Sequence, residues 1–114
     1  MAKLPNAERA VVDIRKLRDY SLNPEHNEGK HKARVFKAAL GFTRIDAQKL
    51  CEMVIDAART EEARLGKRTP HGQIYVVDFT TPGSHGNVII RTAWIVEVDT
   101  DFPRLVSCYV IEEK

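Results

Sequence analysis

Cysteine is scarce in this chain. Cys51 and Cys108 are the two in 114 residues, and neither sits in a CxxC pair, so there is no disulfide framework. Both fall in apolar patterns and read as small buried thiols. No apolar run approaches the ~18 residues of a membrane span. Residues 1–6 lack the apolar stretch of a signal peptide, so a soluble, reducing, cytoplasmic setting is expected. An excess of one charge is also missing. Eighteen basic and 16 acidic residues leave a net charge of only +2, so affinity for a polyanion must come from local clustering. There is no internal repeat, low-complexity tract or linker. A phosphate-binding glycine loop, a nucleophile elbow and an HExxH pair are absent too, which sets aside the commonest nucleotide, serine-hydrolase and zinc-protease signatures.

What is present fits one α+β domain over 1–114, with an irregular lead-in 1–9, a helical part 10–66 and a β meander 73–112. Ala10-Val11-Val12 reads as a short strand. Asp13 is placed to cap a helix from Ile14 to Leu22, which Asn23-Pro24 stops. Val35, Phe36, Ala39 and Leu40 form the apolar stripe of a helix from Lys30 to Leu40, ended by Gly41. Thr43 and Asp46 have capping-box spacing for a third helix, expected to fray through the charged run 60–68. Then the period changes. Gln73–Thr81, Val88–Val98 and Arg104–Glu112 are strand-like, and the expectation is N-terminal helices packed on a three- to four-stranded antiparallel sheet.

Parity places Val88, Ile90, Thr92, Trp94, Val96 and Val98 on one face of the middle strand, with Trp94 in the core. It places Val106, Cys108 and Val110 on the matching face of the last strand. Arg91 then shares the opposite face with Leu105, Ser107 and Tyr109. A one-residue bulge would reverse part of this assignment.

The densest chemistry lies in His26-Asn27-Glu28-Gly29-Lys30-His31-Lys32-Ala33-Arg34, which runs from a loop into a helix. Residues 30–37 hold Lys30, Lys32, Arg34 and Lys37 with no acid. Such a run suits an anion, and a phosphodiester above all. His71 and His85 sit in turns and read as surface residues. No set of His, Cys and Asp has metal-ligand spacing, although His26 and His31 could in principle join Asp13 or Glu25, and no metal or cofactor is expected.

Together these residues suit metal-free RNA cleavage, in which the ribose 2′-OH attacks the adjacent phosphate. The expected catalytic set is His26, Lys32, Arg91, Ser107 and Tyr109: an imidazole as base or acid, two cations as a clamp, two hydroxyls as donors. Lys30, His31, Arg34 and Thr92 are the expected substrate-binding residues. His26 as proton carrier implies a bell-shaped pH–rate profile whose acidic limb disappears in His26→Ala. The alternative is a non-catalytic binding module whose basic helix holds nucleic acid or a protein partner.

The run Lys16-Leu17-x-x-Tyr20-x-Leu22-Asn23-Pro24-x-His26-x-x-Gly29-x-x-Lys32-Ala33-x-x-Phe36, followed by Leu40-Gly41, resembles an uncharacterised bacterial domain family. So do Gly72-x-x-Tyr75-x-Val77, Arg91-Thr92-x-Trp94-Ile95 and Pro103-Arg104-Leu105-Val106-Ser107. The resemblance spans roughly residues 10–112. In layout that family is similar to the barnase–EndoU–colicin–RelE-like ribonuclease toxins, which have N-terminal helices on an antiparallel sheet and cut RNA without a metal. The resemblance implies RNA as substrate, a toxin–antitoxin or phage setting, and a cognate antitoxin or immunity protein as partner; the lack of a long apolar run adds the expectation of no membrane partner.

Overall fold

The computed structural model describes residues 3–111. Asp13 begins the first helix as expected: its carboxylate accepts the Arg15 N–H at 3.0 Å, satisfying one of the unpaired donors of a helix start. Helix α1 (Ile14–Lys16) widens at once into a π-helical stretch (Leu17–Ser21). This bulged turn buries Leu17 and Ser21 and ends at buried Leu22. Asn23 then closes a turn, its side-chain oxygen accepting the Glu25 N–H.

Helix α2 (Lys30–Leu40) has the expected bounds and buries Ala33 and Phe36. Gly41, at φ 70°, takes the left-handed conformation that ends it. Thr43 and Asp46 form the expected capping box around a 3₁₀ turn (Arg44–Asp46), and α3 (Ala47–Thr60) follows. Its buried stripe is Ala47, Leu50, Cys51, Val54, Ala57 and Ala58.

Four strands complete the fold: β1 (Ala63–Thr69), β2 (Gly72–Gly83), β3 (Gly86–Glu97) and β4 (Pro103–Val110). They pair antiparallel in the order β1-β2-β3-β4. The charged run after α3 is therefore not a fraying helix. It is β1, an edge strand whose Arg64, Lys67 and Arg68 keep it wet while Ala63 is buried. Of the expected strand at 10–12, Val11 alone pairs, in a parallel bridge to Arg104.

One sheet face packs on the helices. Val77, Ile90, Thr92, Trp94, Leu105 and Cys108 meet Leu17, Leu22, Phe36, Leu50 and Val54 in the core. β3 has the expected parity in its middle, although Val98 lies past the strand's end and is exposed. In β4 the register shifts between Ala93↔Ser107 and Trp94↔Leu105. Val106 is the extra residue. The bulge turns Val106 outward and Leu105 inward, the reverse of the parity expectation for those two. Beyond it, Cys108 and Val110 face the core as expected, as does Trp94. Among the described residues no helix is long and apolar enough to cross a membrane.

Candidate functional site

The site begins with one hydrogen bond. Ser21 Oγ donates to the Cys108 carbonyl at 2.9 Å, which pins the π-helical stretch against β4. Tyr20 is thereby held beside the strand. Gly29 presses on the same turn: a Cβ there would lie 2.1 Å from the Tyr20 carbonyl oxygen, so the start of α2 approaches as closely as only glycine permits. Lys32, one turn into α2, then reaches across. Its ammonium sits 4.9 Å from the Tyr20 ring centroid and 5.1 Å from that of Tyr109. Two ring faces attract one cation, and no carboxylate of the described residues lies within 4 Å of it.

An open cleft of about 600 Å³ lies here, lined by Tyr20, His26, Lys32 and Ser107 among others. Its rim carboxylates are already matched. Asp13 is held down to about 2 by its hydrogen bonds from Arg15, and Asp19 to about 2 by those from Arg18 and Arg44. Lys32 is thus a cation without its own counter-charge beside acids that have theirs. Cys108, on the same strand, is fully buried, and burial pushes its thiol up to about 12 against the weaker opposing pull of the Lys32 charge. It is not a nucleophile in this state.

His26 is more constrained than its loop position suggests. Its Nδ1 accepts two backbone N–H groups, from Glu28 at 3.0 Å and Gly29 at 2.9 Å. Its ring meets Tyr20 edge-on, 4.7 Å between centroids. An Nδ1 that accepts two bonds carries no proton, so the proton of the neutral ring is on Nε2. His26 therefore offers the cleft a donor. Sequence reasoning gave His26 the proton-transfer role; in the structure its Nδ1 is taken up by the two backbone donors of its own loop.

Arg91 does not reach the cleft as a free cation. It faces Tyr109 across the β3–β4 pair and makes a two-pronged bond to Asp78, with Nε–Oδ1 and Nη2–Oδ2 both 3.0 Å. That pairing raises the guanidinium pKa, with Tyr109 adding a smaller effect, and it holds Asp78 below the usual carboxylate range with help from Arg64 at 3.3 Å. A chain of contacts therefore runs from Asp78 through Arg91, Tyr109 and Lys32 to Tyr20 and His26.

Of the nine residues expected from sequence, the structure gathers His26, Lys32, Ser107 and Tyr109, with Arg91 one contact behind. Thr92 is not among them. It is fully buried, donating to the Val77 carbonyl at 2.7 Å and accepting the Trp94 indole N–H at 2.8 Å, so no substrate can touch it. Lys30, His31 and Arg34 are exposed on α2 and do not line the cleft. Tyr20 is the member the site assignment lacked, although it stands in the same motif block, six residues before His26. His71 and His85 are exposed, as expected. No curated protein and no solved structure matches the chain, so the nuclease likeness has no relative behind it. Over residues 3–112 the sequence does match a family model, and the chain belongs to that family, described as a domain of unknown function, DUF6883.

Proposed function

We propose that the β4-edge cleft takes one phosphodiester of RNA and that the domain is a metal-independent, ribonuclease-like toxin. The observation that carries this reading is Lys32: a half-buried ammonium fixed by two tyrosine rings at the mouth of an open cleft, with no carboxylate of its own. A cation held in place before substrate arrives stabilises developing negative charge without reorganising during the reaction. His26 and Ser107 line the same cleft, and their Nε2–H and hydroxyl are the neutral donors this reading assigns to phosphate oxygens. Tyr109 and Tyr20 position Lys32, and Arg91 positions Tyr109.

In the reaction, the 2′-oxygen bonds to phosphorus as the bond to the 5′-oxygen breaks. Solvent hydroxide takes the 2′-hydroxyl proton, and water protonates the leaving oxygen. The rate then climbs with pH in place of the bell shape expected from an imidazole base.

The engaged Nδ1 of His26 favours a second reading, a non-catalytic module that holds nucleic acid in the same cleft. Incubating the protein with total RNA in EDTA separates the two. Fragments ending in 2′,3′-cyclic phosphate, lost in Lys32→Ala, support cleavage. Intact RNA retained by the protein supports binding alone. RNA neither cut nor retained defeats both.

A further inference from the structure

A second hollow lies on the other side of α2, and its construction is different. It measures about 350 Å³. Leu22, Ala33 and Phe42, all buried or nearly so, form its floor. Lys30, Arg34 and Lys37 form its rim. These three stand at i, i+4 and i+7 of α2, so they share one helix face and spread over ~10 Å of its length. A fourth cation, Lys49 of α3, lies outside the lining but holds its ammonium 5.6 Å from the centroid of the Phe42 ring. None of the four pairs with a carboxylate within 4 Å among the described residues. Of the nearby acids, Asp46 accepts the Thr43 N–H, and Glu25 and Glu28 are exposed in the loop before α2.

We infer that this hollow docks an acidic peptide segment of a protein partner, with one large apolar side chain seated on the Leu22–Ala33–Phe42 floor and flanking carboxylates on Lys30, Arg34 and Lys37. The inference stands apart from the cleft and does not require RNA cleavage. Charge complementarity selects an anion, and the ~10 Å spread selects several carboxylates over a single phosphate. The floor argues against single-stranded nucleic acid, which is gripped by stacking bases on open aromatic faces. Here the one aromatic ring is buried and has Lys49 against it. An apolar anchor ringed by charge pairs is a common plan of a peptide-binding groove.

The test is a random peptide library selected on the immobilised full chain, followed by solution anisotropy with the best labelled peptide. The expected consensus is one Leu, Ile, Met or Phe flanked by Asp and Glu. Binding should fall at least tenfold in Arg34→Glu and in Lys37→Glu, both exposed positions whose folding is checked by circular dichroism. Lys32→Ala should leave it unchanged. The proposal is overturned if the library yields no binder or acid-free sequences, or if binding survives both charge reversals. Displacement of the peptide by an RNA oligonucleotide whose own affinity falls in Arg34→Glu would also overturn it, by assigning the hollow to nucleic acid.

Discussion

Two of the hollows beside α2 use the same kind of charge in opposite ways. In the β4-edge cleft, Lys32 is gripped by two rings, and His26 is held by two backbone donors. In the second hollow, Lys30, Arg34 and Lys37 hang from flexible stems over an apolar floor and are tied to nothing among the described residues. A fixed cation suits a single reacting group. Mobile cations suit a soft partner that brings several charges. Four basic residues within eight positions of one helix are therefore not one patch, because the helical turn sends Lys32 to one side and its three neighbours to the other.

The sharpest way to test this contrast is to remove the fixed cation. Lys32→Ala should lower RNA cleavage by roughly 10²–10³, about 3–4 kcal/mol of transition-state stabilisation, with a melting temperature close to wild type. A variant that unfolds instead would show that Lys32 is a structural cation. Gly29→Ala comes next. With no room for a Cβ against Tyr20, it should cost about 1–3 kcal/mol in denaturant unfolding. It should also depress cleavage more than peptide binding, since it displaces the loop that holds His26.

Acid is a gentler probe of the fixed side. Asp78 is depressed in the folded state by Arg91 and Arg64, and Asp13 and Asp19 stand at about 2. Carboxylates lowered by folding contribute stability above their unfolded value of about 4, and this is lost as pH falls through the folded values. Melting temperature should therefore drop between about pH 4 and pH 2. Arg91→Ala should make the Asp78 share of that drop smaller. An unchanged acid profile in that variant would mean the Arg91–Asp78 pair does not hold in solution. The smallest effect is expected at Arg34. Arg34→Ala should change cleavage of a short RNA less than about threefold, because it stands on the other side of the helix. A tenfold loss would join the two hollows into one nucleic-acid surface.

Local chemistry in the sequence carried a large part of the architecture. The α2 bounds followed from the Val35–Phe36–Ala39–Leu40 stripe and Gly41, and the start of the third helix followed from Thr43 and Asp46. These signals act within a few residues. What stayed hidden depends on partners far along the chain. The charged run 64–68 carries no strand signal until β2 is there to pair with it. The extra residue at Val106 is visible only against β3. Arg91 looks like a free clamp until the β2–β3 register brings Asp78 opposite it. That the loop of His26 closes on its own Nδ1 is likewise invisible in the spacing. His26, Lys32, Ser107 and Tyr109 were readable from their types and spacing, while Tyr20 and the contacts among them required the fold.

The Ser21–Cys108 bond has a consequence for association. A sheet ends where its outer strands stop finding neighbours, and each outermost backbone invites another chain to continue it. Here the two margins are protected by different means. β1 relies on charge, a defence that concentrated salt weakens. β4 is sheltered by the chain's own early segment, through the Val11 bridge and the Ser21 hydroxyl. If residues 10–22 detach locally, the β4 margin is bare while the rest of the sheet stays folded. The same thirteen residues that present Tyr20 to the cleft also keep one copy of this protein from zipping onto the next.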